Sequence, residues 1–195
     1  MGRRTDVYVI RRDFPHEWST GLCSAPCDNC CCWIASCVCF PCANYSIRSK
    51  ALGDMRHYRF FQGYACGVCG CCCEPCESTC GSCCLCAEVL LCPHLSVMAT
   101  RHFIQDKYAV RNTGCEDCCI DCVIGMECLL CCFPEDSIVH EALHCAVHLC
   151  MCIGMPCMQV QHHEQLKREM DGQALLRPEY GQPPGGHHHH CRVPA

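Results

Sequence analysis

The sequence predicts a mainly α, small cysteine-rich fold with irregular metal- or disulfide-stapled loops. Three observations point there. Cysteine supplies 31 of the 195 residues, well beyond the usage that marks a stapled scaffold. Apolar residues recur at helical spacing, as in Leu91, Leu95, Met98, Phe103 and Ile104, and no βαβ pattern accompanies them. Between the helical stretches lie cysteine blocks with Gly, Ser and Thr, which need ties to stay ordered. A chain of this length buries one core, so one domain is expected. We divide it into an N-terminal arm at 1–16, a cysteine-rich domain at 17–170, and a Pro/Gly/His tail at 171–195.

Charge narrows the function classes. The formal net charge is -5 on 18% charged residues, so no dense basic face exists for nucleic acid to bind by counterion release. Arg3, Arg4, Arg11 and Arg12 are diluted by Asp6 and Asp13 and read as soluble surface, with anionic lipid as the alternative. Val7 to Ile10 is too short an apolar run for a signal peptide before Arg11 and Arg12 interrupt it. Thr5 also sits one place early for a myristoylation signal. The expected location is therefore intracellular, cytoplasmic or membrane-associated. That compartment is reducing, which favours thiolates over stable disulfides.

Taken in order, Val7 to Ile10 suggests a short edge strand or a solvated arm. Trp18 to Cys42 then packs eight cysteines around Trp18, Trp33 and Phe40. Ala43 to Arg59, polar with spread basic residues, reads as a surface helix. Cys66 to Cys92 begins as loops. Val89 to Arg111 reads as a helix with Pro93 in its first turn. Cys115 to Cys132 is ended by Pro134, and Ser137 is suited to cap a helix running to Gly154 or Pro156. A further helix is expected at Met158 to Met170, and the tail beyond Asp171 is expected to be disordered. Asn29 to Ile47 and Ala142 to His163 carry no charge apart from histidine and approach the length of a membrane span. Their prolines, asparagines and histidines favour a buried core helix instead.

Four separated blocks carry a family resemblance. Trp18-Ser19-Thr20-Gly21-Leu22 looks like a W-x-T-G-L opening, and Cys39-Phe40-Pro41-Cys42 resembles a C-F-P-C core. Cys83-Cys84-Leu85-Cys86, Arg101 to Tyr108 and Cys115-Glu116-Asp117 are similar to a C-C-L-C, R-x-x-Y, C-D-D run. Cys157 to Lys167 is similar to a closing C-A-L-C-Q-E-x-R-E-L-K. Together they resemble the onzin and cornifelin (placenta-specific-eight) group, related to plant cell-number regulators and cadmium-resistance proteins. Val160 and His162 depart from the closing motif, and the cysteine-rich segments near 60–80 and 118–144 look like insertions. The resemblance implies a compact domain, often membrane-associated, linked in different relatives to divalent-metal homeostasis, organ size or epidermal structure.

The cysteines invite a metal. Ten C-x-x-C pairs occur, against about five from uniform scatter at this composition, and two such pairs complete a tetrahedral structural zinc site. The candidate Zn2+ ligands are Cys23, Cys27, Cys30, Cys39, Cys42, Cys83, Cys86, Cys115, Cys118, His140, His144 and Cys157. The bland reading leaves the same residues packed or oxidised. His140-Glu141-Ala142-Leu143-His144 matches H-E-x-x-H, with Glu164 as an imaginable third ligand, yet the chain shows no protease sheet. His140, His144, His148 and Cys152 recur every four residues as one stripe that could bind metal or line a core. His187 to His190 with Cys191 could chelate a transition metal or be a polar tail. A redox enzyme is disfavoured because no thioredoxin-type sheet accompanies any C-x-x-C.

The expected function is thus a non-enzymatic, zinc-binding cysteine-rich domain serving a membrane or protein assembly, with a protein partner or homo-oligomer. The first alternative is a structural scaffold subunit using cysteine as apolar filler. The second is an H-E-x-x-H metallohydrolase.

Overall fold

Proline lacks the amide hydrogen that a helix interior needs, and two prolines decide where this chain bends. Helix α2 (Cys30–Val38) stops at Cys39, and α3 (Phe40–Leu52) restarts with Pro41 in its first turn. Helix α4 (Gly81–Leu91) stops at Cys92, and α5 (Pro93–Tyr108) restarts at an angle of 119°. Cys39 and Cys92 adopt nearly the same backbone, φ -134° with ψ 73° and 60°. These elbows meet: Asn44 Nδ2 donates to the Pro93 carbonyl at 3.2 Å, and the Phe40 ring lies edge-on to His94 at 6.3 Å.

The computed structural model describes residues 11–64 and 80–171. The strand expected at Val7 to Ile10, the cysteines from Cys66 to Cys76 and the histidine tail lie outside the described residues. Helix α1 (Ala25–Asp28) is one turn, with Asn29 capping α2 through its side chain. Strand β1 (His16–Glu17) pairs in parallel with β2 (Val110–Arg111), so the end of the arm docks on the body. Helix α6 (Gly114–Leu130) opens with a reciprocal capping box between Thr113 and Glu116. Helix α7 (Ile138–Asp171) lies against α2, α3, α5 and α6.

Several expectations change. Residues 43–59 do not form a surface helix: α3 buries Asn44, Ile47, Arg48, Ala51 and Leu52 and ends at Gly53, whose φ of 73° suits glycine. Residues 81–91, expected among loops, are helical and bury Leu85 and Val89. Pro156 does not end a helix, because α7 continues through it. Met155 to His162 are all buried, so packing on both sides offsets the roughly 3 kcal/mol that an interior proline costs.

Three apolar clusters hold the body. Trp18, Ile47, Ala51, Ile104, Val110 and Leu166 form one. Leu22, Ala25, Val97, Met155, Met158 and Val160 form the second, and Leu52, Tyr58, Leu85 and Val89 the third. Of the described cysteines only Cys157 is buried in this core.

Candidate functional site

Two regions of opposite character stand out: a buried polar hub, and an apolar end that the fold leaves uncovered. The hub centres on Arg101. Its guanidinium donates to Gln161 Oε1 at 2.6 Å and Asn112 Oδ1 at 2.7 Å, and lies 3.4 Å from Glu116. It also stacks 4.5 Å from the Trp18 ring centroid. Gln161 Nε2 donates to the Thr20 carbonyl at 2.8 Å and to Glu116, while Glu116 also accepts from the Thr113 amide at 2.9 Å. Trp18 Nε1 and Gln105 Nε2 both donate to Asn112 Oδ1, and Asn112 Nδ2 donates to Asp117. Burial pulls the Arg101 pKa down to about 10, opposed by Glu116 and Asp117, so it stays charged at neutral pH.

A second buried pair repeats the pattern. Arg48 stands nine residues after Cys39, as Arg101 stands nine after Cys92. Arg48 Nε lies 3.1 Å from Glu88, which also accepts from the Tyr58 hydroxyl at 2.9 Å and the Phe61 amide at 2.8 Å. Burial lowers the Arg48 pKa against the pull of Glu88, and burial with Glu88 raises that of Tyr58. Arg11, expected at the solvated surface, is buried instead and clamps Asp106 through two contacts of 2.7 and 2.8 Å.

Two histidines border the hub. His162 is 1% exposed with its ring 5.5 Å from Trp18, and burial holds its pKa well below the ordinary value. Burial, with Arg11 beside it, pushes His102 down to about 4. The folded state therefore binds fewer protons than the unfolded chain. Stability should be intact above the unfolded value of about 6.5 and fall as pH drops through it, by about 1.4 kcal/mol per pH unit per histidine. His102 stops adding to the slope near its folded value of about 4. Denaturant midpoints at pH 7.5, 6 and 5 check this, and His162→Phe should flatten the slope.

The apolar end is built by the elbows. Val38 and Leu91, each immediately before its break, are 81% and 79% exposed, and Ile34, Leu90 and Leu95 are exposed beside them. Gln159 Nε2 reaches the Phe40 carbonyl at 3.4 Å, so α7 passes the same elbows and adds exposed Leu149 and Ile153. Helix α7 is long and apolar enough to cross a membrane, and only 11% of its apolar window is buried in the protein. The buried core helix expected at Ala142 to His163 begins at Met155; the preceding turns are largely exposed.

The proposed zinc ligands do not gather. Cys39 and Cys42 are bonded to each other, so neither is a thiolate. Cys27 and Cys30 are exposed on α1 and α2, and Cys83 and Cys86 on α4. Cys23 neighbours Cys157 and also Cys119, a residue the spacing did not select. Cys115 and Cys118 lie on the first turns of α6, one helical turn before Cys119 and Cys122 respectively. Cys118 and Cys122 line a shallow depression with Arg12, Asp117 and Asp121. The charge of Cys122 raises the Cys118 pKa, since thiolates one turn apart repel. Among the described residues, no three His, Cys, Asp or Glu side chains are grouped to hold a metal ion. A closed tetrahedral zinc site does not fit them.

The H-E-x-x-H residues sit on the exposed part of α7, with His140 and His144 stacked at 6.3 Å and the His148 ring tilted against His144 at 4.6 Å. Glu164 lies on the same unbroken helix, about 30 Å from His144 at the helical rise, and accepts from Asn29. It cannot complete their site.

The hub is what spacing arguments missed. Its members lie in the opening Trp18 block, in α5, at the start of α6 and in α7, and one or a few polar residues in each give no local periodicity. The available signal was that three of the four motif blocks hold Trp18, Arg101 with Glu116, and Gln161, the side chains that meet. No protein-family model, curated protein or solved structure matches this chain.

Proposed function

We propose that this protein is a non-enzymatic, cysteine-rich, membrane-associated protein whose elbow end enters one leaflet of a bilayer while the polar hub stays on the water side. The single observation that carries the reading is the exposure of Ile34, Val38, Leu90, Leu91, Leu95, Leu149 and Ile153 along helices whose stretches 29–47, 89–100 and 142–163 have no acidic or basic side chain except histidine. Such a side chain gains about 1.5–3 kcal/mol when fully withdrawn from water, and soluble monomers rarely leave large apolar patches open. Glu127, Glu135, Asp136 and Glu141 at the tip of the α6–α7 hairpin favour shallow insertion over crossing. Flotation of the full chain with phosphatidylcholine vesicles tests this. Recovery in the vesicle layer supports it; a soluble monomer left at the bottom refutes it, and a soluble oligomer would favour the scaffold reading instead.

Thiophilic-metal binding is a second reading, favoured by the thiol pairs Cys115/Cys119 and Cys118/Cys122. It agrees with the metal homeostasis that the onzin-like motifs imply. A pair supplies two soft ligands, and a second copy or a protein partner would supply the rest. Metal content with a free-thiol count decides it: bound zinc with fewer titratable thiols supports it, and metal-free protein with every thiol titrating does not.

A further inference from the structure

We propose that Cys39 and Cys42 form a thiol–disulfide exchange site whose co-reactant is a thiol of the glutathione class. The sulfurs of this pair are bonded, with their Cα atoms 5.4 Å apart, inside the usual range for a disulfide. Other described pairs with the same spacing, including Cys27/Cys30 at the α1–α2 joint and Cys128/Cys131 near the end of α6, are not bonded. The difference lies in the elbow. At the α1–α2 joint Asn29 takes the capping position, whereas here Cys39 itself is the N-cap of a thirteen-residue helix and Cys42 lies in its first turn.

That position suits exchange chemistry. No side chain caps the first amides of α3, so a thiolate left on Cys39 meets the positive end of the helix and its unpaired N–H groups. Such a setting lowers a thiol pKa and makes the sulfur a better leaving group. No carboxylate occurs in sequence between Asp28 and Asp54 to oppose it. Access is unequal: Cys42 is exposed and Cys39 is half-buried. An incoming thiolate therefore bonds to Cys42 Sγ, the Cys39–Cys42 bond breaks, and its electron pair stays on Cys39 Sγ. A second thiolate then attacks the incoming sulfur and expels Cys42. Two thiols are oxidised to one disulfide, and the protein gains two electrons and two protons. Glutathione disulfide reverses both steps. None of this needs a thioredoxin-type sheet, whose absence first argued against redox chemistry. The site lies on the α2–α3 elbow that the bilayer reading seats in lipid, so exchange is expected of protein free of vesicles, where Cys42 is open to water.

The test uses the full chain in water without vesicles or detergent across a series of glutathione to glutathione disulfide ratios. After acid quench and differential alkylation, mass spectrometry reads each cysteine. Cys39 and Cys42 should pass together from dithiol to disulfide, reversibly and as a two-electron step, while Cys27 and Cys150 stay thiols. A pair that stays oxidised at the reducing end is a staple, and a pair that stays reduced at the oxidising end is inert; either overturns the proposal. In Cys39→Ser, a substitution that keeps a good N-cap, the mixed disulfide has no internal resolving thiol. Glutathione should then remain on Cys42 at several times the occupancy of Cys150, and equal occupancy overturns the proposal.

Discussion

Arg101→Met is expected to destabilise the protein by about 3–5 kcal/mol, the cost of removing one member of a buried, hydrogen-bonded ion pair. The arginine is fully buried, as are Glu116 and Gln161. Methionine fills much of the volume but returns no donor. Glu116 is left as an uncompensated charge, and the acceptor oxygens of Gln161 and Asn112 each lose a partner. Against the roughly 5–15 kcal/mol that holds a domain together, that is a large fraction, read as a lowered denaturant midpoint. Adding Glu116→Gln should recover part of the loss, because the stranded charge goes. Arg111→Ala removes an ion pair whose side chains are 43% and 56% exposed and should cost less than about 1 kcal/mol. Equal losses at Arg101 and Arg111 would remove the hub from the account.

Leu91→Asp is expected to weaken vesicle binding about thirtyfold while leaving folding unchanged. Leu91 is 79% exposed at the α4–α5 elbow, so its replacement costs the body little. In a leaflet, the change forfeits apolar transfer and adds a charge, together at least about 2 kcal/mol. Val38→Asp on the other elbow, 81% exposed, should behave alike. Glu135→Gln at the hairpin tip should change binding little, because that end stays in water.

Helix content was legible because apolar spacing and the breaker Pro134 act locally. But the single helix expected over Val89 to Arg111 is split at Cys92, where Pro93 opens a new helix and not the first turn of the old one. The fate of Pro156 was not legible, because burial of Met155 to His162 is a property of the whole fold. The same holds for Arg48 and Arg101: each looks like a surface charge in its helix, and only the glutamate arriving from another element makes burial affordable. The cysteines misled for a related reason. The C-x-x-C spacing brings thiols together in a tight turn, but Cys115, Cys118 and Cys128 lie on continuous helix, with Cys131 at its C-cap, and there the spacing also arises by density. At Cys39-Phe40-Pro41-Cys42 the break makes the turn, and there the sulfurs meet.

The bilayer claim can be read most directly from the native thiols. Cys37, Cys150 and Cys152 lie on the apolar stretches of α2 and α7, while Cys118 and Cys122 face the Arg12 depression on α6. Reaction of each with a charged maleimide, followed by mass spectrometry with and without phosphatidylcholine vesicles, maps what lipid covers. The account predicts that vesicles slow the first three severalfold and leave Cys118 and Cys122 unchanged. Identical rates at all five positions, with the protein folded in both samples, would contradict it.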